Sequence, residues 1–133
     1  NTHPGSARNE EAQKIINNLR AKLETKDRNA AQLYYDMGQF RAAAVAFNTL
    51  LNDYPDTQTG DLYKMMSIRS YYRFAELSIE EKKAERFEKV IDEANEFLDR
   101  FPQSTLAKEA ENFLNLSKNN LNKYNNEPVK TTT

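Results

Sequence analysis

The stretch from Tyr34 to Pro55, YYDMGQFRAAAVAFNTLLNDYP, constrains this chain more than any other. It reads as an aromatic helix end, a turn centred on Gly38, and an Ala-rich amphipathic helix stopped by Tyr54-Pro55. Gly38 can adopt φ > 0 and close a turn between two antiparallel helices. Beyond it, Phe40, Ala43, Phe47, Leu50 and Leu51 make one apolar stripe on a helix of 3.6 residues per turn. Ala42, Ala43, Ala44 and Ala46 let a neighbouring helix approach closely. Pro55 ends the helix, because it lacks an N–H and disfavours helical backbone at Tyr54. The stretch is a helical hairpin, and it predicts an array of such hairpins.

Self-similarity along the chain supports that expectation. An aromatic or aromatic-like residue precedes proline three times, at His3-Pro4, Tyr54-Pro55 and Phe101-Pro102, at intervals of 51 and 47 residues. Ser6, Thr57 and Ser104 each follow their proline by two positions, where a hydroxyl is expected to cap the next helix. The first and third copies match further: Glu11-Ala12 with Glu109-Ala110, Ile15-Ile16 with Phe113-Leu114, and Leu23 with Leu121. The sequence is expected to open at a repeat boundary, as the C-terminal part of a longer protein.

Apolar periodicity places the elements. Ala12, Ile15, Ile16, Leu19 and Leu23 form a stripe, Glu24 to Asn29 are polar on every face, and apolar positions resume at Ala30, Leu33, Tyr34 and Met37. One long helix over about 7–37, exposed in its middle, is expected; the alternative is a break near Thr25–Asp27 with Asp27 as a cap. The second hairpin arm spans about 40–53. A further hairpin covers about 60–100: Leu62, Met65, Met66, Ile68, Tyr72, Ala75 and Leu77 line its first helix. Ser78 to Lys83 form a polar connector, and Phe87, Val90, Ile91, Ala94, Phe97 and Leu98 line the second helix. A last helix over about 104–123 carries Leu106, Ala110, Phe113, Leu114 and Leu121. Residues 1–124 thus make one domain fragment, and the Asn/Thr-rich stretch 125–133 is predicted to be a disordered tail.

Charge and composition remove several function classes. Nineteen basic and twenty acidic residues leave a net charge of -1, which implies no sequence-wide attraction to nucleic acid or anionic lipid. With no cysteine there is no disulfide, thiolate metal site or thiol nucleophile, and no lipid-bearing cysteine in these residues. No apolar run approaches the roughly 18 residues of a membrane span, and no signal peptide is visible. His3 is the single histidine and has no base partner beside it. Glu10-Glu11 and Glu80-Glu81 sit in charged runs that read as solvated faces. No catalytic, cofactor-binding or metal-binding residue is expected, and the chain is not expected to be an enzyme.

The hairpin resembles the tetratricopeptide repeat of about 34 residues. With Pro55 on the repeat's terminal proline, Ala43 takes its small second-helix position, Phe47 its aromatic one, Phe40 the turn aromatic and Tyr34 the first-helix aromatic. Leu50 stands at a usually small position, and Asp27 and Ala31 replace the first-helix Trp and Gly. In the copy ending at Pro102, Phe87 takes the turn aromatic, Val90 the small position and Ala94 the large one. The fold this implies is all-α, with tetratricopeptide-like hairpins stacked in a short right-handed solenoid.

Over about residues 1–124 the chain also resembles the BamD (YfiO) family of outer-membrane assembly lipoproteins. The features are the long helix running into YYDMGQFRAAAVAF, the LNDYPDTQ segment after it, and the long hairpin from Asp61 to Pro102. The resemblance implies a non-catalytic scaffold of the BAM complex, which inserts β-barrel proteins, at the periplasmic face of the outer membrane. The partners it implies are the periplasmic domain of the BamA-type barrel subunit and other BAM lipoproteins, with a lipid anchor outside these residues. Two other readings stand beside it: a periplasmic or cytoplasmic adaptor that holds an extended peptide in its concave groove, and an accessory domain of an enzyme.

Tyr34-Tyr35 and Tyr71-Tyr72 are adjacent pairs, so the two rings of each pair point about 100° apart on a helix. One ring can enter the core while the other faces a partner; in the repeat register Tyr35 lies on the concave face. Arg69 and Arg73, four residues apart and joined by Lys64, form a basic strip that reads either as a solvated face or as a contact for an acidic loop. Tyr35, Arg69, Tyr72 and Arg73 are the candidate partner-binding residues. At least one of Met65 and Met66 is expected in the core.

Overall fold

The computed structural model describes residues 4–126. They form five α-helices: α1 (Pro4–Asp36), α2 (Phe40–Asp53), α3 (Gly60–Glu76), α4 (Glu80–Arg100) and α5 (Ala107–Asn126). There is no strand among the described residues, so the fold is all-α, as expected. α1 is one unbroken helix of 33 residues, without the alternative break near Asp27. α4 begins at Glu80 because the polar run of the connector is its first turn, where Glu80 and Glu81 favour a helix N-terminus. α5 starts three residues later than expected and runs on through Asn126. Residues 125 and 126 are therefore helical, a correction to the predicted tail. The rest of that tail and His3 lie outside the described residues.

The helix ends follow from named residues. Gly38 has φ 78° and closes the α1–α2 turn; its N–H bonds the Tyr35 carbonyl and the Gln39 N–H bonds that of Tyr34. These two bonds satisfy carbonyls that α1 would otherwise leave bare. The two Pro-terminated helices end alike. Tyr54 (φ -125, ψ 63) and Phe101 (φ -127, ψ 54) donate to Leu50 and Phe97, and their carbonyls accept from Thr57 and Ser104.

The expected hydroxyl caps are mostly absent. Ser6 lies inside α1, and Thr57 donates to Glu24 at 2.8 Å across the helix pair. Ser104 accepts from the backbone N–H of Leu106 just ahead of α5 at 3.0 Å while donating to Asp61 on α3, and Thr57 accepts from that of Thr59 ahead of α3 only at 3.5 Å.

α1 and α2 run antiparallel: Arg20 bonds the Asp53 carbonyl at one end, and Tyr35 stacks edge-on against Phe40 at the other. α3 is the centre. On one side Tyr63 and Met66 join Ala31, Phe47, Leu50 and Tyr54 in a core shared with α1 and α2. On the other, Met65, Ile68 and Ala75 join Phe87, Val90, Ala94, Phe97 and Ala110 of α4 and α5. Helices adjacent in the chain make most of the contacts, and α5 also returns to α3.

α1 corrects the sequence reading in part. Its polar middle is exposed from Thr25 to Asn29, as expected, although it also makes contacts: the half-buried Glu24 accepts from the Thr57 and Tyr63 hydroxyls, Asp27 from that of Tyr54, and Ala31 just beyond is fully buried. The correction is its apolar stripe, which is bare, with Ile15 60%, Ile16 55%, Leu19 56% and Leu23 54% exposed.

Candidate functional site

The structure separates the four candidate partner-binding residues into two pairs. Arg69 turns toward α5, where its Nε and Nη2 hold Glu109 at 2.6 and 2.7 Å. That hydrogen-bonded carboxylate raises the guanidinium's already high pKa. Tyr72 is half-buried between Phe87 and Phe113, ring centroids 5.8 and 5.1 Å away, and burial pushes its hydroxyl pKa up. Both side chains bind the chain to itself. Tyr35 and Arg73 meet over Phe40: the Tyr35 ring contacts it edge-on, and the Arg73 guanidinium lies 5.3 Å from its centroid. Arg73 is half-exposed and pairs with Glu76 at 3.2 Å.

The third member of the expected basic strip, Lys64, is buried. Its ammonium binds Glu93, which is also buried, and Glu96 at 2.6 Å. Glu93 further accepts from Asn48 on α2 and Lys89 on α4, so three helices share one charged junction. The hydrogen bond from Lys64 holds the Glu96 carboxyl below its ordinary range. Lys64, Arg69 and Arg73 thus each have a carboxylate partner within this chain, and they form no open basic strip.

A concavity lies elsewhere, between the α1–α2 turn and the α3–α4 turn. It is a groove of about 870 Å³. Its apolar lining comes from Tyr34, Met37, Phe40, Val45, Phe74 and Leu77. Met37 and Leu77 are 62% and 66% exposed. The charged residues lining it are Arg41 and Arg86, and no carboxylate does. Neither arginine is in an ion pair among the described residues.

Arg86 is held in place. Its guanidinium lies 4.2 Å from the Phe74 ring centroid and donates to the Ser78 hydroxyl at 2.6 Å, while Ser78 donates to the Phe74 carbonyl. Four of its five N–H groups remain for a ligand. In the sequence Tyr34, Met37 and Phe40 read as helix-stripe, tyrosine-pair or turn residues, and nothing there marks Arg41 or Arg86. The groove joins two turns about 40 positions apart, and no local pattern marks it.

Among the described residues no group of three or more His, Asp or Glu is placed to hold a metal ion. No helix there is long and apolar enough to cross a membrane. What the arrangement offers chemically is recognition: an apolar floor, one cation held in place at Arg86, a second exposed one at Arg41, and two aromatic-lined turns. No family model matches this chain, and the comparison with curated proteins found no match.

Proposed function

We propose that this chain is a non-catalytic interaction scaffold built of tetratricopeptide-type hairpins stacked in a right-handed solenoid. Its role in this reading is in the assembly of outer-membrane β-barrel proteins, at the periplasmic face, in contact with the periplasmic part of a BamA-type barrel subunit. The observation that carries the scaffold reading is the recurrence of one local design. Tyr54-Pro55 and Phe101-Pro102 end their helices with the same backbone angles and the same pair of hydrogen bonds, and each leads into a helix of the next hairpin. Ala31, at the repeat's Gly position, is fully buried, as close approach of the paired helices requires. Stacked hairpins of this kind leave extended faces for partners. The assignment to barrel assembly rests on the resemblance of residues 1–124 to the BamD family.

Titration calorimetry against the membrane-proximal periplasmic domain of the barrel subunit from the same organism tests the reading. Saturable binding is expected. It should weaken when Tyr35 or Arg73 is changed to Ala with helix content intact, since Arg73 is exposed and the half-buried Tyr35 packs beside it on Phe40. Absence of heat and of co-elution from the folded protein would favour the peptide-adaptor reading instead.

A further inference from the structure

The groove between the two turns has a chemistry that the scaffold reading does not specify. A side-chain set of Tyr34, Met37, Phe40, Val45, Phe74 and Leu77 offers apolar surface that water solvates poorly. The cations beside it have no carboxylate partner among the described residues. Arg20, Lys64, Arg69, Arg73, Lys82, Lys83 and Lys89 all have carboxylates within 4 Å, whereas Arg41 and Arg86 line the groove with none. Arg86 is stacked on Phe74 and tied to Ser78, so less side-chain freedom is lost when it meets a ligand. Arg41 and Arg86 also border an adjoining depression, where Glu85, Glu88, Lys89 and Asp92 join them, so carboxylates lie on one side of the two arginines and none on the groove side.

We propose that this groove is a docking site for an acidic segment of a partner protein, one that seats an apolar side chain on Phe40, Phe74 and Leu77 and presents carboxylates to Arg41 and Arg86. The inference rests on the reading of the chain as an interaction scaffold and names the chemistry of one of its partners. Arginine suits this role because its planar fork grips a carboxylate with two parallel hydrogen bonds while its face stays on an aromatic ring. The apolar seat supplies affinity, and the charges supply orientation and selection against basic segments.

The test uses a ten-residue peptide with a central Leu-Phe pair flanked by aspartates, and a copy with every Asp replaced by Asn. Both are titrated into the isotopically labelled protein and followed by amide NMR shifts. The aspartate peptide should shift residues 37–46 and 74–86. Its affinity should fall at least about tenfold for the Asn copy, and by a similar factor between low and 0.5 M salt.

Arg41→Glu should also cost about tenfold or more, and an Arg41→Glu protein should recover binding toward a lysine-flanked copy. Arg41 is exposed, so this variant is expected to keep its fold; Arg86→Lys, which keeps the charge and loses the fork, gives a second measure. Equal binding of the Asn copy, unchanged affinity in Arg41→Glu, or shifts confined to other surfaces would overturn the assignment. If the peptides fail while the barrel-subunit titration still gives heat, the groove assignment alone falls. If both fail, the scaffold reading falls with it.

Discussion

Lys64 and Glu93 are the residues where this fold takes most risk. Both side chains are at least nine-tenths removed from solvent, and each has further partners in Glu96, Lys89 and Asn48. Desolvating two charges costs several kcal/mol per ion, an amount that their attraction and hydrogen bonds must offset. The pair therefore matters less for net stability than for what happens when it is broken. Lys64→Met strands the Glu93 carboxylate with only the half-exposed Lys89 as a counter-charge, and should destabilise by about 3 to 5 kcal/mol. The double change Lys64→Met with Glu93→Leu replaces the junction by apolar packing and should recover most of that loss. Urea titrations of the two singles and the double check this. A double variant as unstable as the sum of its singles would show that the junction contributes through Asn48 and Lys89 rather than through the pair.

At the scale of helices, α1 and α3 are opposites. α1 is regular along its whole length, yet from Gly5 to Leu23 its side chains are exposed. A helix held on one part only should open from the other. Amide hydrogen exchange is expected to find residues 8–20 the least protected helical segment and the middle of α3 the most protected. Protection of residues 8–20 equal to that of α3 would mean that a contact covers the Ile15–Leu23 stripe in solution.

The same contrast explains what the sequence reveals. α2 and α4 each bury one face, so a period of 3.6 identifies their core, as with Ala43, Phe47, Leu50, Val90, Ala94 and Phe97. α3 is enclosed by α2, α4 and α5, so Tyr63, Lys64, Ser67 and Ser70 are buried as well, and no stripe predicts them. Leu62 and Leu77 fit the stripe and are exposed: Leu77 lies just past the end of α3, and Leu62 stands between the buried Gly60 and Tyr63 on a side that no helix covers. For Ile15 to Leu23 the periodicity is real, but periodicity records that a face is apolar and not whether this chain covers it. The candidate site was the least legible part. Arg69 and Tyr72 carry the right chemistry for a contact, but α5 and α4 use it, and α5 lies some 40 residues along the chain from Arg69.

Across the described residues the molecule has two apolar clusters and one helix common to both. α3 gives Tyr63 and Met66 to one cluster, and Met65, Ile68 and Ala75 to the other. The Lys64–Glu93 junction spans α2, α3 and α4 between them. In a hairpin array, stability is a sum of unit and nearest-neighbour terms, and units separate when the neighbour term is weak. Here the neighbour term includes the backbone of α3 itself, because neither cluster can form while α3 is unfolded.

Phe47→Ala and Phe97→Ala empty opposite clusters, each costing about 3 to 5 kcal/mol, since both rings are almost fully buried. Either change should lower the melting of both ends together. Amide NMR on heating can report Ala43 in α2 and Ala94 in α4 separately, and the two midpoints should stay coincident in both variants. If Phe97→Ala lowers the midpoint at Ala94 and leaves that at Ala43 in place, α1 to α3 form a unit able to stand without α4 and α5. Coupling through α3 would then be weaker than its central position implies.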